Sequence, residues 1–123
     1  MANELSVTMG WATDKTSRIR NVPVLTTRYD LSSALVTEGV QSIGFAAHEA
    51  IVLGDVTTVG FAYFHNMDAT NYVEIGIDVA ASFHATIRLY PGQKCSTFLA
   101  AAPYAQAAVA AVLLDYVILE RNV

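Results

Sequence analysis

The clearest structural signal is the stretch Tyr72-Val73-Glu74-Ile75-Gly76-Ile77-Asp78-Val79, followed by Phe83-His84-Ala85-Thr86-Ile87-Arg88-Leu89. Apolar and polar side chains alternate in both segments, and successive side chains of a β-strand point to opposite faces of a sheet. The side chains expected on the inner face are Val73, Ile75, Ile77, Val79, Phe83, Ala85, Ile87 and Leu89. Two consecutive strands with one polar face each predict an antiparallel sheet.

Turn-forming sequences surround these two strands. Asn66-Met67-Asp68-Ala69-Thr70-Asn71 precedes them, and its Asn and Asp side chains can bond to their own backbone. Pro91-Gly92 follows them and fits the central positions of a type II turn, where glycine supplies the positive φ. Gly54-Asp55 predicts a further turn after the apolar residues 50–53.

More strands are predicted on both sides of this region. Leu5–Met9 alternates apolar residues with hydroxyls, Val59–His65 is rich in aromatic residues, and Cys95–Ala100 is a short strand candidate. Val112–Leu119 is apolar on both faces except at Asp115, which predicts a central strand.

Other segments are less regular. An alternating run covers Ser17–Asn21, and Pro23 then restricts the chain to an edge strand because proline cannot donate to a ladder. A turn is predicted at 30–33, and residues 34–47 fit either a strand or irregular structure. The alanine-rich stretch 100–111 contains Pro103, so a loop followed by a strand of small residues is expected there rather than a helix.

About eight short strands separated by turns predict an all-β protein, an antiparallel β-sandwich of jelly-roll type. The 123 residues suit one domain over 1–123, with 1–30 as a candidate attachment or edge segment.

The composition is unusually apolar. Hydrophobic residues make up 54% of the chain and charged residues only 15%, against roughly 25% in typical globular proteins. A domain of this size buries only about two-thirds of the surface that its unfolded chain exposes. Apolar side chains should therefore remain outside the core, which predicts an oligomer or another covering partner.

Membrane and nucleic-acid roles are not expected. Charges, glycine or proline interrupt every apolar stretch before the roughly 20 residues of a spanning helix, and the Met-Ala-Asn-Glu start has no signal-peptide character. The net charge is −4, and from Leu31 to Glu120 only Arg88 and Lys94 stand against eight acids. That segment offers no basic face for phosphates. Four cations lie in the first thirty residues: Lys15, Arg18, Arg20 and Arg28.

No local motif of a catalytic, cofactor or metal site is present, and we expect no enzyme activity. His48, His65 and His84 lie on separate segments, which leaves a cupin-type metal site as a weaker alternative. Cys95 is alone and fits a small core residue. Glu74 and Asp78 are expected to be solvated acids on one strand face.

Exposed aromatic side chains have two interpretations. Trp11, Tyr29, Tyr72, Tyr90 and Tyr104 could line a carbohydrate-binding surface or anchor a subunit interface, and the surplus of apolar residues favours the interface. The interface residues predicted from the N-terminal segment and the edge strand are Leu5, Val7, Met9, Trp11, Val22, Val24 and Leu25.

Three segments resemble small structural proteins of tailed bacteriophages: Gly60–Gly76, Arg88–Gln93 and Leu114–Glu120. They contain a strand ending in Asn-x-Asp-x-Thr-Asn, a Val-Glu-Ile-Gly strand, a Leu-x-Pro-Gly turn and a C-terminal strand closing in glutamate. The resemblance covers roughly the second half of the chain and includes no catalytic residue.

This resemblance implies a virion protein assembled in the host cytoplasm. The expected role is capsid decoration (cement), with the major capsid protein and copies of itself as partners, commonly in a trimer. A tail or neck subunit and a carbohydrate-binding jelly-roll module are the alternatives.

Overall fold

The computed structural model describes residues 4–15, 18–31 and 34–121. These residues form ten β-strands and no helix, which confirms the all-β prediction. The strands are β1 Leu5–Lys15, β2 Arg18–Tyr29, β3 Val36–Ile43, β4 Glu49–Ala50, β5 Val59–Asn66, β6 Val73–Val79, β7 Ser82–Leu89, β8 Lys94–Phe98, β9 Tyr104–Ala107 and β10 Val112–Glu120.

The described residues divide into two compact units, 4–31 and 34–121. The first is a two-stranded antiparallel ribbon of β1 and β2, in which Leu5 pairs with Tyr29 and Lys15 with Arg18. Pro23 lies in β2, where its missing N–H is tolerated because each strand of a ribbon has a free edge. One domain over the whole chain stays a prediction.

The second unit is a jelly-roll sandwich. Its two four-stranded sheets have the orders β3-β10-β5-β8 and β4-β9-β6-β7. The antiparallel pairings are nested along the chain: β6 with β7, β5 with β8, β4 with β9 and β3 with β10. Apart from the β6–β7 hairpin, successive strands alternate between the sheets, as in a long hairpin rolled up on itself, and this is the predicted jelly-roll topology.

The core is organised by β10, the predicted central strand. β10 pairs with β3 on one side and β5 on the other. Its alternate side chains Val112, Leu114, Tyr116 and Ile118 are buried, together with Phe64 of β5 and Ile75 of β6. Burial of each large apolar side chain stabilises the fold by about 1.5–3 kcal/mol.

The inner-face prediction for β6 and β7 is only partly right. Val73, Ile75 and Leu89 are buried, but Val79 is 50% exposed and Ala85 is also exposed. The β6–β7 register shifts between Ile75 and Gly76, and β6 pairs with β9 only as far as Gly76. Because the shift pairs Ala85 with Gly76, Ala85 lies on the face away from Ile75, and the end of the hairpin at Val79 extends past β9.

The turns predicted at Gly54-Asp55, Asn66–Asn71 and Pro91-Gly92 are confirmed. The Pro91-Gly92 turn is closed by Gln93 N–H donating to the Tyr90 carbonyl at 2.9 Å, and Gly92 has φ 79°. Residues 101–103 form a loop before the short strand β9, as expected from Pro103. Part of the turn predicted at 30–33 lies outside the described residues. The undetermined region 34–47 contains β3, whose pairing with β10 makes it an edge strand of the sheet.

Asn66 is a fully buried polar residue that joins the two sheets. Its Nδ2 donates to the carbonyls of Asn71 and Leu89, both at 2.9 Å, and its Oδ1 accepts from the Asp68 N–H at 2.8 Å. Asn66 ends β5 in one sheet, while Leu89 ends β7 in the other. These bonds satisfy backbone groups that would otherwise be buried without partners at the crossover.

Asn66→Ala is therefore expected to lower the free energy of unfolding by about 3 kcal/mol, because buried groups lose their partners. Urea denaturation measures the change. Thr70→Ala in the same loop is the control and should cost less than about 0.5 kcal/mol, since Thr70 is exposed. Equal losses in the two variants would contradict the role given to Asn66.

Candidate interaction surface

The structure brings most of the predicted interface residues onto one face of the β1–β2 ribbon. Directly opposed residues of two strands share a face. The opposed pairs are Leu5 with Tyr29, Val7 with Thr27, Met9 with Leu25, and Trp11 with Val22. We call these eight residues the ribbon face.

Val24 lies on the other side of the ribbon. Between the Met9–Leu25 and Trp11–Val22 pairs, β2 contains one residue more than β1, so the register shifts. A Cβ added to Gly10 would lie 2.7 Å from Val24 Cα and 2.8 Å from its Cγ2. Val24 therefore occupies the space that the missing side chain of Gly10 leaves open, on the face opposite to Met9 and Trp11.

The two faces of the ribbon differ in polarity. On the face opposite the ribbon face, the hydroxyls of Thr8 and Thr26 are hydrogen-bonded at 2.7 Å. On the ribbon face, Met9 is 49% exposed, Trp11 58% and Leu25 70%. A two-stranded ribbon is only marginally stable in water by itself. A partner that covers the ribbon face would therefore stabilise the ribbon and remove this apolar surface from water.

A second apolar surface was not singled out from the sequence. Val36 and Val40 of β3 and Leu113 of β10 are exposed on the outer side of the β3-β10-β5-β8 sheet. The sequence of β10 does indicate such a surface, because both faces of this strand are apolar and a sandwich strand buries only one. The sequence alone does not say which face is covered.

The histidines do not converge. His48 Nε2 bonds Asp78 Oδ2 at 2.9 Å, and the His48 ring stacks on Phe83 with centroids 5.3 Å apart. The hydrogen bond from His48 lowers the pKa of Asp78 below its ordinary value, and the Ala81 N–H, which donates to Asp78 Oδ1 at 2.9 Å, adds to this. His65 lies on β5, in the other sheet.

Glu74 and Asp78 are not the simple solvated acids expected from the sequence. Both side chains are partly buried, and each has its own partner. Arg88 Nη2 donates to Glu74 Oε2 at 2.8 Å, and its guanidinium lies 4.2 Å from the centroid of the Tyr72 ring. These contacts hold the two carboxylates in separate ion pairs along the β6–β7 hairpin.

The remaining candidates are dispersed. Trp11 and Tyr29 belong to the ribbon, whereas Tyr72, Tyr90 and Tyr104 belong to the sandwich. Cys95 is half-buried against the core, and burial raises the pKa of its thiol. Within residues 4–15, 18–31 and 34–121, no group of three or more His, Cys, Asp or Glu side chains could hold a metal ion.

A cleft of about 390 Å³ opens between the two sheets, next to the edge strands β7 and β8. Its walls are mainly aliphatic and aromatic, and include Ile75, Ile87 and Phe98, with the hydroxyls of Thr86 and Thr97. The cleft contains no charged side chain among these lining residues and therefore offers no acid, base or metal ligand.

Comparison of the chain with known protein families, with curated proteins and with solved structures finds no match. The part of the chain that the structure describes contains no helix that could span a membrane.

Gly10→Ala tests the ribbon. The new Cβ would collide with Val24, so amide hydrogen exchange in β1 and β2 should become at least about tenfold faster while exchange in β10 is unchanged. Gly39→Ala is the matched control, because the nearest atom to its added Cβ is Tyr116 Oη at 4.0 Å. Unchanged exchange in β1 and β2 of Gly10→Ala would argue against this register.

Acid stability tests the His48–Asp78 pair. Three carboxyls have pKa values below their ordinary values of 3.8 for Asp and 4.5 for Glu: Asp68, Asp78 and Glu120. The main causes are the Asn71 N–H for Asp68, His48 for Asp78 and the Thr57 hydroxyl for Glu120.

A carboxyl with a lowered pKa in the folded state stabilises the protein above its unfolded-state pKa, and this contribution is lost as the pH falls through the folded-state value. The free energy of unfolding should therefore decrease below about pH 4. The Asp78→Asn variant should have a lower free energy of unfolding than the wild type at neutral pH, and that free energy should fall less on acidification. Urea denaturation at a series of pH values measures the free energy of unfolding of both proteins. If the two free energies fall in parallel with pH, the His48–Asp78 pairing is contradicted.

Proposed function

We propose that this protein is a structural subunit of a tailed-phage particle, specifically a capsid decoration (cement) protein, which acts by binding neighbouring subunits. The observation that carries the proposal is the ribbon face, a continuous apolar surface with Trp11 and Leu25 largely exposed. Tryptophan in such a position is typical of residues that dominate binding energy at interfaces. The resemblance of Gly60–Gly76, Arg88–Gln93 and Leu114–Glu120 to small phage structural proteins supports the same conclusion.

The size of the ribbon face bears on how the protein binds. The ribbon face spans seven residues of β1, Leu5–Trp11, at about 3.4 Å each, and two strands about 10 Å wide in total, which gives about 240 Å². At about 25 cal/mol per Å² of apolar surface this is a gross contribution of about 6 kcal/mol. Association itself costs about 4–15 kcal/mol, so one ribbon face binds weakly and several must act together.

Multivalency supplies the missing affinity. A homo-oligomer, with a trimer as the proposed form, makes several contacts at once, and linked contacts increase overall affinity by orders of magnitude. The partners proposed are the major capsid protein and copies of the protein itself. Contacts repeated over the capsid lattice would then reinforce the joints between capsid subunits, and no chemical step is required.

Cryo-electron microscopy of the native particle tests this placement. We expect density for the jelly roll repeated over the capsid lattice. Density confined to the tail or neck would overturn the decoration role, and a particle without the protein would overturn the structural role altogether.

Variants of the ribbon test the docking element. Trp11→Asp should reduce incorporation into particles by at least about tenfold, because the new carboxylate would be buried at the interface. Val24→Asp is the matched control: Val24 is 73% exposed but lies on the opposite face, so incorporation should be retained. Quantitative gels of purified particles give the copy number. Deleting Met1–Gly10 should also abolish incorporation, and normal incorporation of that truncated chain would refute the ribbon's role.

A further inference from the structure

We propose that the ribbon face of one copy docks on the outer face of the β3-β10-β5-β8 sheet of a second copy, so that copies of this chain exchange ribbons. This inference rests on the proposed function, in which the ribbon is the docking element, and it names the partner. We call the receiving surface the sheet face. Its residues are Val36, Glu38, Val40, Leu113, Asp115, Val117 and Leu119.

The register of β3 and β10 puts these residues on one side of the sheet. Val36 is opposite Leu119, Glu38 opposite Val117, and Val40 opposite Asp115. The intervening residues of β10 are buried in the core, so this set points outward. Val40 is 53% exposed and Leu113 51%. The sheet face is therefore a broad apolar surface made by two adjacent strands, as the ribbon face is.

The charges of the two surfaces are complementary. The ribbon face continues toward the end of the hairpin with Lys15 and with Arg20, which is opposite Thr13. The sheet face carries Glu38 and Asp115 among its apolar residues. Opposite charges favour a ribbon on a sheet, whereas two ribbon faces or two sheet faces would bring like charges together.

The two units also differ in net charge. Residues 4–31 contain four cations and three acids, a net charge of +1, whereas residues 34–121 contain three cations and eight acids, a net charge of −5. His65 of β5 and Lys94 of β8 lie on the same outer face of the β3-β10-β5-β8 sheet, because His65 pairs with Asp115 and Lys94 pairs with His65. The acidic part of the surface is therefore its β3–β10 half.

The area argues for exchange rather than a single contact. One ribbon face of about 240 Å² is less than a third of the about 800 Å² per partner that stable interfaces bury. In an exchange, each copy buries its ribbon face on a neighbour and its sheet face under another ribbon, which doubles the buried area. Such an arrangement closes as a symmetric dimer or trimer.

Sedimentation velocity of the full-length protein across the micromolar range tests the exchange. We expect a closed oligomer, and a wild-type protein that remains monomeric at all concentrations would overturn the inference. Trp11→Asp in the ribbon face and Leu113→Asp in the sheet face should each raise the dissociation constant by at least about 100-fold.

Two control variants place the same charge elsewhere. In Val24→Asp the new charge is on the side of the ribbon opposite to the ribbon face. In Val109→Asp it is outside the strands, at a residue that is 70% exposed. Both should associate like the wild type. Circular dichroism and hydrogen exchange in β10 establish that each variant is folded. If Leu113→Asp is folded and associates normally, the ribbon does not dock on the sheet face and the inference fails.

Mixing the two variants gives the sharpest result. Trp11→Asp retains an intact sheet face and Leu113→Asp an intact ribbon face, so a mixed dimer restores one of the two contacts. We expect the mixture to associate at least about tenfold more tightly than either variant alone. A mixture no better than its components would overturn the exchange.

The exchange of ribbons and the proposed function can be refuted independently of each other. A monomeric protein that enters particles through its ribbon would refute the exchange and leave the structural role intact. A protein that exchanges ribbons in solution but is absent from particles would refute the structural role and leave the exchange intact.

Discussion

The sandwich depends on the pairing of its last strand, β10, with β3 on one side and β5 on the other. Val112, Leu114, Tyr116 and Ile118 of β10 are buried, and they form the central row of the core. Because β3 and β5 lie far earlier in the chain than β10, this row joins segments that are distant in sequence. The strands between them pair with one another inside that outer pairing, which is the nested pattern of the jelly roll.

The same alternation that builds the core decides where the surplus apolar residues go. A strand in a two-layer sandwich can bury only one of its two faces. The second face of β10 therefore points outward together with that of β3, and Leu113 and Val40 are exposed although they are as apolar as their buried neighbours. The ribbon has a comparable surplus on one face. An apolar composition of 54% thus becomes two defined surfaces rather than a larger core.

Polar groups contribute to this protein mainly by holding its connections in place. Asn66 bonds across the crossover between the sheets, and Glu120 accepts bonds from the backbone N–H groups of Thr57 and Thr58, each at 3.0 Å. His48 and Arg88 each pair with one acid on β6. Because these charges are distributed as separate pairs, each one stabilises a particular loop or hairpin, and the exposed apolar surfaces remain the features most suited to binding.

The sequence by itself determined the elements whose signals are local. The strands β6 and β10, the Asn66–Asn71 turn and the Pro91-Gly92 turn all depend on neighbouring residues, and each was predicted correctly. Only the tertiary structure decided which face of β10 is buried, where the register shifts beside Gly10 and Gly76, and that His48 meets Asp78 thirty residues away. These features depend on which strand lies alongside and in what register, and that choice is made by the packing of the whole chain.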